Sequence, residues 1–144
     1  MGLDMYLSAK RYIWSSESDI KQKVSSDFDL PEGIQVKGVS AEVAYWRKAN
    51  AIHRWFVNEV QGGVDDCESY EFTRKKLREL IDVCRMVKEN PQLAPALLPT
   101  QSGFFFGETE YGDWYFRYID ETIVMIERAL TLPESWVFEY RSSW

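Results

Sequence analysis

The chain has 144 residues, 45% hydrophobic and 15% aromatic, with 17 Lys and Arg against 23 Asp and Glu. That length buries a sizeable core as one domain, residues 1–144, and the aromatic content excludes an intrinsically disordered chain. A net charge of −6 and a pI of about 4.9 argue against a general affinity for nucleic acid or for anionic membranes.

No run of 18 apolar residues and no charged segment leading into an apolar one is present, so neither a membrane span nor a signal peptide is expected. The expected compartment is the cytoplasm, where the two cysteines stay reduced.

In Met1 to Trp14, Leu3, Met5 and Leu7 alternate with Asp4, Tyr6 and Ser8. A period of two predicts a strand with one buried face. Asp4 is either solvent-facing on the polar side or a ligand or hydrogen-bond partner for something on a helix. Ser15 to Gly33 is polar and reads as a long connection with one short helical turn around Ile20 to Val24. Ile34 to Val39 alternates again and reads as a second strand.

From Ala41 to Val60 the spacing predicts a helix. Tyr45, Ala49, Ile52 and Phe56 fall on one face. Ser40 is the expected N-cap, and Gly62 and Gly63 supply the stop. Trp46, Asn50, His53, Val57 and Val60 form a second stripe, which sets His53, the only histidine, at the edge of the buried face.

Tyr70 and Phe72 alternate in a short extended bridge. Thr73 to Glu89 predicts a helix with the apolar stripe Leu77, Leu80, Ile81, Cys84 and Val87, in which Cys84 reads as a small core hydrophobe. Asn90-Pro91 ends it. Gly103-Phe104-Phe105-Phe106-Gly107 reads as a short strand or packed loop in preference to an exposed binding patch. A further helix spans Asp113 to Thr131, with Tyr115, Ile119, Thr122, Ile126 and Leu130 toward the core. Trp136 to Tyr140 closes the chain as a strand. Strands at both ends around about three helices define an α+β fold with a small antiparallel sheet.

Chemistry concentrates between His53 and Cys67. Residues 53–61 rise roughly 12 Å along a helix. Residues 62–67 span at most about 20 Å. The loop can therefore fold back and carry Asp65, Asp66 and Cys67 to the imidazole. Histidine, thiolate and carboxylate are zinc's ligand types, although a 14-residue separation is no recognised finger spacing. The alternative is a histidine hydrogen-bonded to Asp65 or Asp66 beside a free thiol. No GxSxG, Walker, GxGxxG or HExxH signature is present, and nothing selects a catalytic carboxylate pair, so the residues support no enzyme.

The opening MGLDMYL, the segment WRKANAIHRWF, the DDC at 65–67 and the LPTQSGFFFG at 98–107 resemble a family of small proteins carried by bacteriophages and prophages. They are also similar to a phage-encoded anti-CRISPR protein directed at a Cas9 effector of type II-A systems, in which a bound zinc is implicated. That resemblance implies an inhibitor of a host Cas9-type effector that makes no direct contact with nucleic acid or membrane. It also implies a structural zinc held by Asp4, His53 and Cys67, with Asp66, Asp65 or a water completing the shell. Acidic residues suit a basic nuclease channel by charge complementarity. Glu59, Asp65, Glu68 and Glu71 form one cluster and Glu108, Glu110 and Asp113 a second. The competing expectation is a small-ligand (nucleotide) binder or zinc-dependent hydrolase, with Tyr6, Trp46, His53 and Trp114 around a pocket.

Overall fold

The alternation of Met5, Leu7 and Ala9, all fully buried, with half-buried Tyr6, Ser8 and Lys10 fixes one strand and its two faces. In the computed structural model, which describes residues 2–144, that strand is β1 (Asp4–Tyr12). It pairs antiparallel with β2 (Gly38–Arg47) on one side and β4 (Val137–Ser143) on the other. A short β3 (Tyr70–Phe72) pairs antiparallel with β4, giving the order β2-β1-β4-β3. The fold is α+β, as the pattern of elements predicts.

Three helices cover the apolar face of the sheet: α2 (Asn50–Glu59), α3 (Arg74–Glu89) and α5 (Asp113–Ala129). Phe56 of α2 stacks on Tyr140 of β4 with ring centroids 3.9 Å apart and planes 5° from parallel. The Trp46 indole of β2 donates a 2.8 Å hydrogen bond to the Thr122 hydroxyl of α5, which satisfies the polar end of a buried aromatic. One contiguous core runs from Leu3 to Tyr140. A single turn, α4 (Ala94–Leu97), follows α3, and α1 (Ser18–Asp27) sits in the β1–β2 connection.

Two elements depart from the sequence reading. Ala41 to Arg47, expected to be the first two turns of a helix from Ala41 to Val60, is strand. The cause is a bulge. Leu7 pairs with Ala44 but Ser8 pairs with Glu42, so Val43 has no partner. One extra residue breaks the two-residue alternation, and the apolar positions then mimic helical spacing. Tyr45 accordingly leaves the proposed core stripe and lies on the open face beside Tyr6, 5.4 Å between centroids. Lys48, at φ 56°, turns the chain out of the strand, and α2 starts two residues later. The expected strand at Ile34 to Val39 begins only at Gly38, where a Cβ would stand 2.8 Å from the Arg11 carbonyl oxygen. The expected turn at Ile20 to Val24 is a ten-residue helix, α1, that buries none of its residues.

The other elements follow their patterns. Leu77, Leu80, Ile81, Cys84 and Val87 are all buried on α3, and Tyr115, Ile119, Thr122 and Ile126 on α5. Of the three adjacent phenylalanines, Phe106 is buried, Phe105 half-buried and Phe104 96% exposed. No helix among the described residues is long and apolar enough to cross a membrane.

The thiols separate by environment. Cys84 is fully buried and burial pushes its pKa up to about 12, whereas Cys67 is half-buried on a loop. Thiolate is the reactive form, so Ellman's reagent should titrate only Cys67 in the native chain and both thiols after unfolding in guanidinium. Two fast thiols in the native protein would contradict the packing of α3.

Candidate functional site

Helix α2 enters the core with two polar side chains, Asn50 and His53, three residues apart on one face. Both are fully buried. A buried polar group without a partner costs about 1–3 kcal/mol, so each needs specific acceptors and donors.

His53 finds them on both ring nitrogens. Nε2 lies 2.8 Å from Asp65 Oδ2, and Nδ1 lies 2.7 Å from the Tyr140 hydroxyl. An ionised carboxylate only accepts, so Nε2 carries the proton and Nδ1 offers its lone pair to the Tyr140 O–H. The Trp144 indole N–H donates to the second Asp65 oxygen at 3.0 Å. Burial lowers the His53 pKa, and Asp65 opposes that shift without reversing it. Burial also holds the Tyr140 phenol well above its ordinary pKa, with nearby Asp65 and Cys67 adding to the effect, so Tyr140 stays a donor. Phe106 meets the imidazole edge-on at 5.3 Å and Trp144 at 6.0 Å.

The 62–67 loop folds back along α2 as its reach allows. Gly62 and Gly63, at φ 63° and 85°, make the reversal, and the Gly63 N–H bonds the Val57 carbonyl at 2.8 Å. Asp65 turns inward. Asp66 turns outward and accepts from the Tyr70 hydroxyl at 2.7 Å and the Glu68 N–H at 3.1 Å, contacts that hold its carboxyl below the usual range. Cys67 follows at φ 61°.

Asn50 organises the neighbouring loop. Its Nδ2 donates to the carbonyls of Phe106 at 3.0 Å and Glu108 at 2.8 Å, and its Oδ1 accepts from the Gln101 N–H at 2.9 Å. The Leu3 N–H bonds the Phe105 carbonyl, and the Lys48 N–H bonds the Leu3 carbonyl. The four segments quoted above for their resemblance thus meet at one place, the N-terminal end of β1 and the start of α2.

Asp4 is not part of it. It lies on the open face of the sheet, opposite to Tyr140, where it accepts from the Tyr45 hydroxyl and from Arg47 at 3.0 Å. Among the described residues no three His, Cys, Asp or Glu side chains are placed to share a metal ion. With both nitrogens of His53 engaged and Asp4 across the sheet, the arrangement does not fit the expected zinc shell. The 62–67 loop is anchored to α2 by the His53–Asp65 hydrogen bond. Nor is a pocket assembled from Tyr6, Trp46, His53 and Trp114: Tyr6 faces outward on the open face while Trp46 and His53 are buried beneath the sheet.

The acidic residues divide. Glu59 pairs with Lys76 at 3.0 Å and Glu71 with Lys10 at 3.5 Å, while Asp65 is spent on His53 and Trp144. Glu68, Glu108, Glu110 and Asp113 are exposed and have no ion-pair partner among the described residues. Asn50, Tyr140 and Trp144 carry the site and were not singled out by sequence. A polar residue inside the buried stripe was the available signal for Asn50; no local signal marks the other two. Compared with known proteins, the chain matches no family model, no curated protein and no solved structure.

Tyr140→Phe leaves Nδ1 of His53 without a donor and should lower stability by about 2 kcal/mol, roughly 6 °C in Tm. Asn50→Asp replaces two donated bonds by a buried charge facing carbonyls and should cost more than Tyr140→Phe; equal or smaller loss would contradict the loop assignment. The pH dependence has one sign. His53 stays neutral in the fold, whereas in the unfolded chain it takes up a proton near pH 6.5. Its contribution is full above that value and declines as pH falls. Since His53 is the only histidine, Tm should drop between about pH 7 and 5, and His53→Gln should flatten that slope.

Proposed function

We propose that the protein works by binding another protein, as an acidic inhibitor of a host Cas9-type effector that obstructs nucleic-acid loading. The observation that carries this reading is Phe104. It is 96% exposed at the tip of the 103–106 turn, closed by a 3.1 Å hydrogen bond from the Phe106 N–H to the Gly103 carbonyl. The backbone on either side is fixed, by Leu3 at Phe105 and by Asn50 at Gln101, Phe106 and Glu108. An aromatic side chain held out on a rigid turn is pre-organised: contact through it orders no loop.

The surroundings support a basic partner. Glu108 and Glu110 follow Phe104 on the same loop, and Asp66 and Glu68 lie on the loop that His53 draws in through Asp65. Phe106 and Trp144 join the two loops. The result is an apolar centre with an acidic rim, which suits a groove lined with Lys and Arg built to hold nucleic acid. The resemblance names the partner class; the charge and the exposed ring say how it would be engaged. Inhibition by occupation needs no catalytic group.

The test is binding of the purified protein to a type II-A Cas9 without guide RNA. Phe104→Ala should weaken binding by about 10- to 100-fold, and Glu108→Gln with Glu110→Gln should mainly slow association at low salt. Binding should fall as salt rises and compete with guide RNA. Absence of binding, or binding indifferent to all three changes, would overturn the reading.

A further inference from the structure

At the other end of β1 lies a second surface, remote from Phe104. Strand β2 is an edge of the sheet, and α5 flanks only its C-terminal part, through Trp46 and Thr122. The five residues Gly38, Val39, Ser40, Ala41 and Glu42 are all exposed. The Ile13 N–H bonds the Lys37 carbonyl, so that carbonyl faces β1; by alternation Val39 and Ala41 also face β1, and Gly38, Ser40 and Glu42 point their N–H and C=O groups away from the sheet. Natural edges are normally blunted by a bulge, a covering element, or charged and Pro residues, Lys and Pro above all; on β2 the Val43 bulge and the charge of Glu42 stand at one end of the segment. The segment holds neither Lys nor Pro. The connection that leads into it contains α1, ten residues long with none buried, although helices that short are marginal without packing. Tyr12, Trp14, Ile34 and Val39 expose apolar side chains at the same end.

We propose that this end is completed by a second copy of the chain, the two β2 edges pairing antiparallel about a two-fold axis at Ser40. The segment is compatible with itself in that register. Ser40 faces Ser40, Gly38 faces Glu42, and Val39 faces Ala41. The outward N–H and C=O groups pair, an apolar residue meets an apolar one, and the only charged side chain meets glycine. The arm from Lys10 through Lys37, both included, carries five Lys and Arg and five Asp and Glu, so two arms meet without net repulsion although the chain carries −6. The arrangement is isologous and closes on itself.

Sedimentation equilibrium of the intact protein over about 1–200 μM tests this, since a two-fold pairing shifts with concentration by mass action. The expected result is a concentration-dependent species of twice the 16.9 kDa chain mass. Val39→Lys places like charges in the seam, and Ser40→Pro removes one outward N–H; each should give a monomer with unchanged circular dichroism. Hydrogen exchange at Gly38, Ser40 and Glu42 should slow as concentration rises. A monomer throughout, a dimer that survives both substitutions, or edge amides protected only when a different protein is added would each overturn self-pairing, the last by assigning the edge to a foreign strand.

Discussion

A hydrogen-bonded line from Tyr140 through His53 to Asp65 ties together a strand, a helix and a loop drawn from separate parts of the chain. His53 and Tyr140 are fully buried and Asp65 is half-buried, so the bond between the two rings is stronger than at the surface and its loss leaves a desolvated polar atom. The line has one consistent assignment of protons: tyrosine donates, histidine accepts and donates, carboxylate accepts. That consistency fixes the depth at which α2 lies on the sheet. The stacked pair of Phe56 and Tyr140 one turn along the helix then has a single position available.

From that placement the rest of the face follows. Asn50 sits one turn before His53 and captures three backbone groups of the 101–108 loop, so the turn that carries Phe104 is held by a side chain of the same helix. Asp65 draws in its own loop and leaves Asp66 and Glu68 outside. Two loops far apart in sequence, each with exposed acidic residues, thereby meet through Phe106, Trp144 and Asp65. The opposite end of β1 is built on the contrary principle: among the described residues no buried polar side chain anchors it, its helix buries nothing, and its strand edge has no strand partner. One end of the sheet is finished within the chain; the other presents what a further strand would complete.

Much of this was legible in the sequence where a pattern was local. The stripe of α3 and the alternation of β1 depend only on neighbours in the chain, and both stand in the structure. The reach of residues 62–67 back to His53 was set by chain geometry alone, and hydrogen bonding of His53 to Asp65 was one of the two alternatives that reach allowed. What failed was also local in cause. A single unpaired residue, Val43, shifts the phase of β2 and makes strand look like helix. The side chains that the resemblance implied for a zinc shell are not brought together. Asp4 alternates with buried Leu3 and Met5, so the same local pattern that fixes the faces of β1 already placed it on the side away from the helices. Tyr140 and Trp144 could not be found beforehand, because they meet His53 and Asp65 only through strand register.

The protonation and contacts of His53 are the most direct test, read by long-range proton–nitrogen correlation NMR on the protein, with pH varied. The result expected is a neutral ring at pH 7, the proton on Nε2, and a pKa below the usual 6.5. Loss of the Nδ1 hydrogen bond in Tyr140→Phe should shift Nδ1 and leave the tautomer unchanged. A proton on Nδ1, a charged ring at pH 7, or nitrogen shifts of a metal-bound imidazole would contradict the clamp and return the loop to a different anchor.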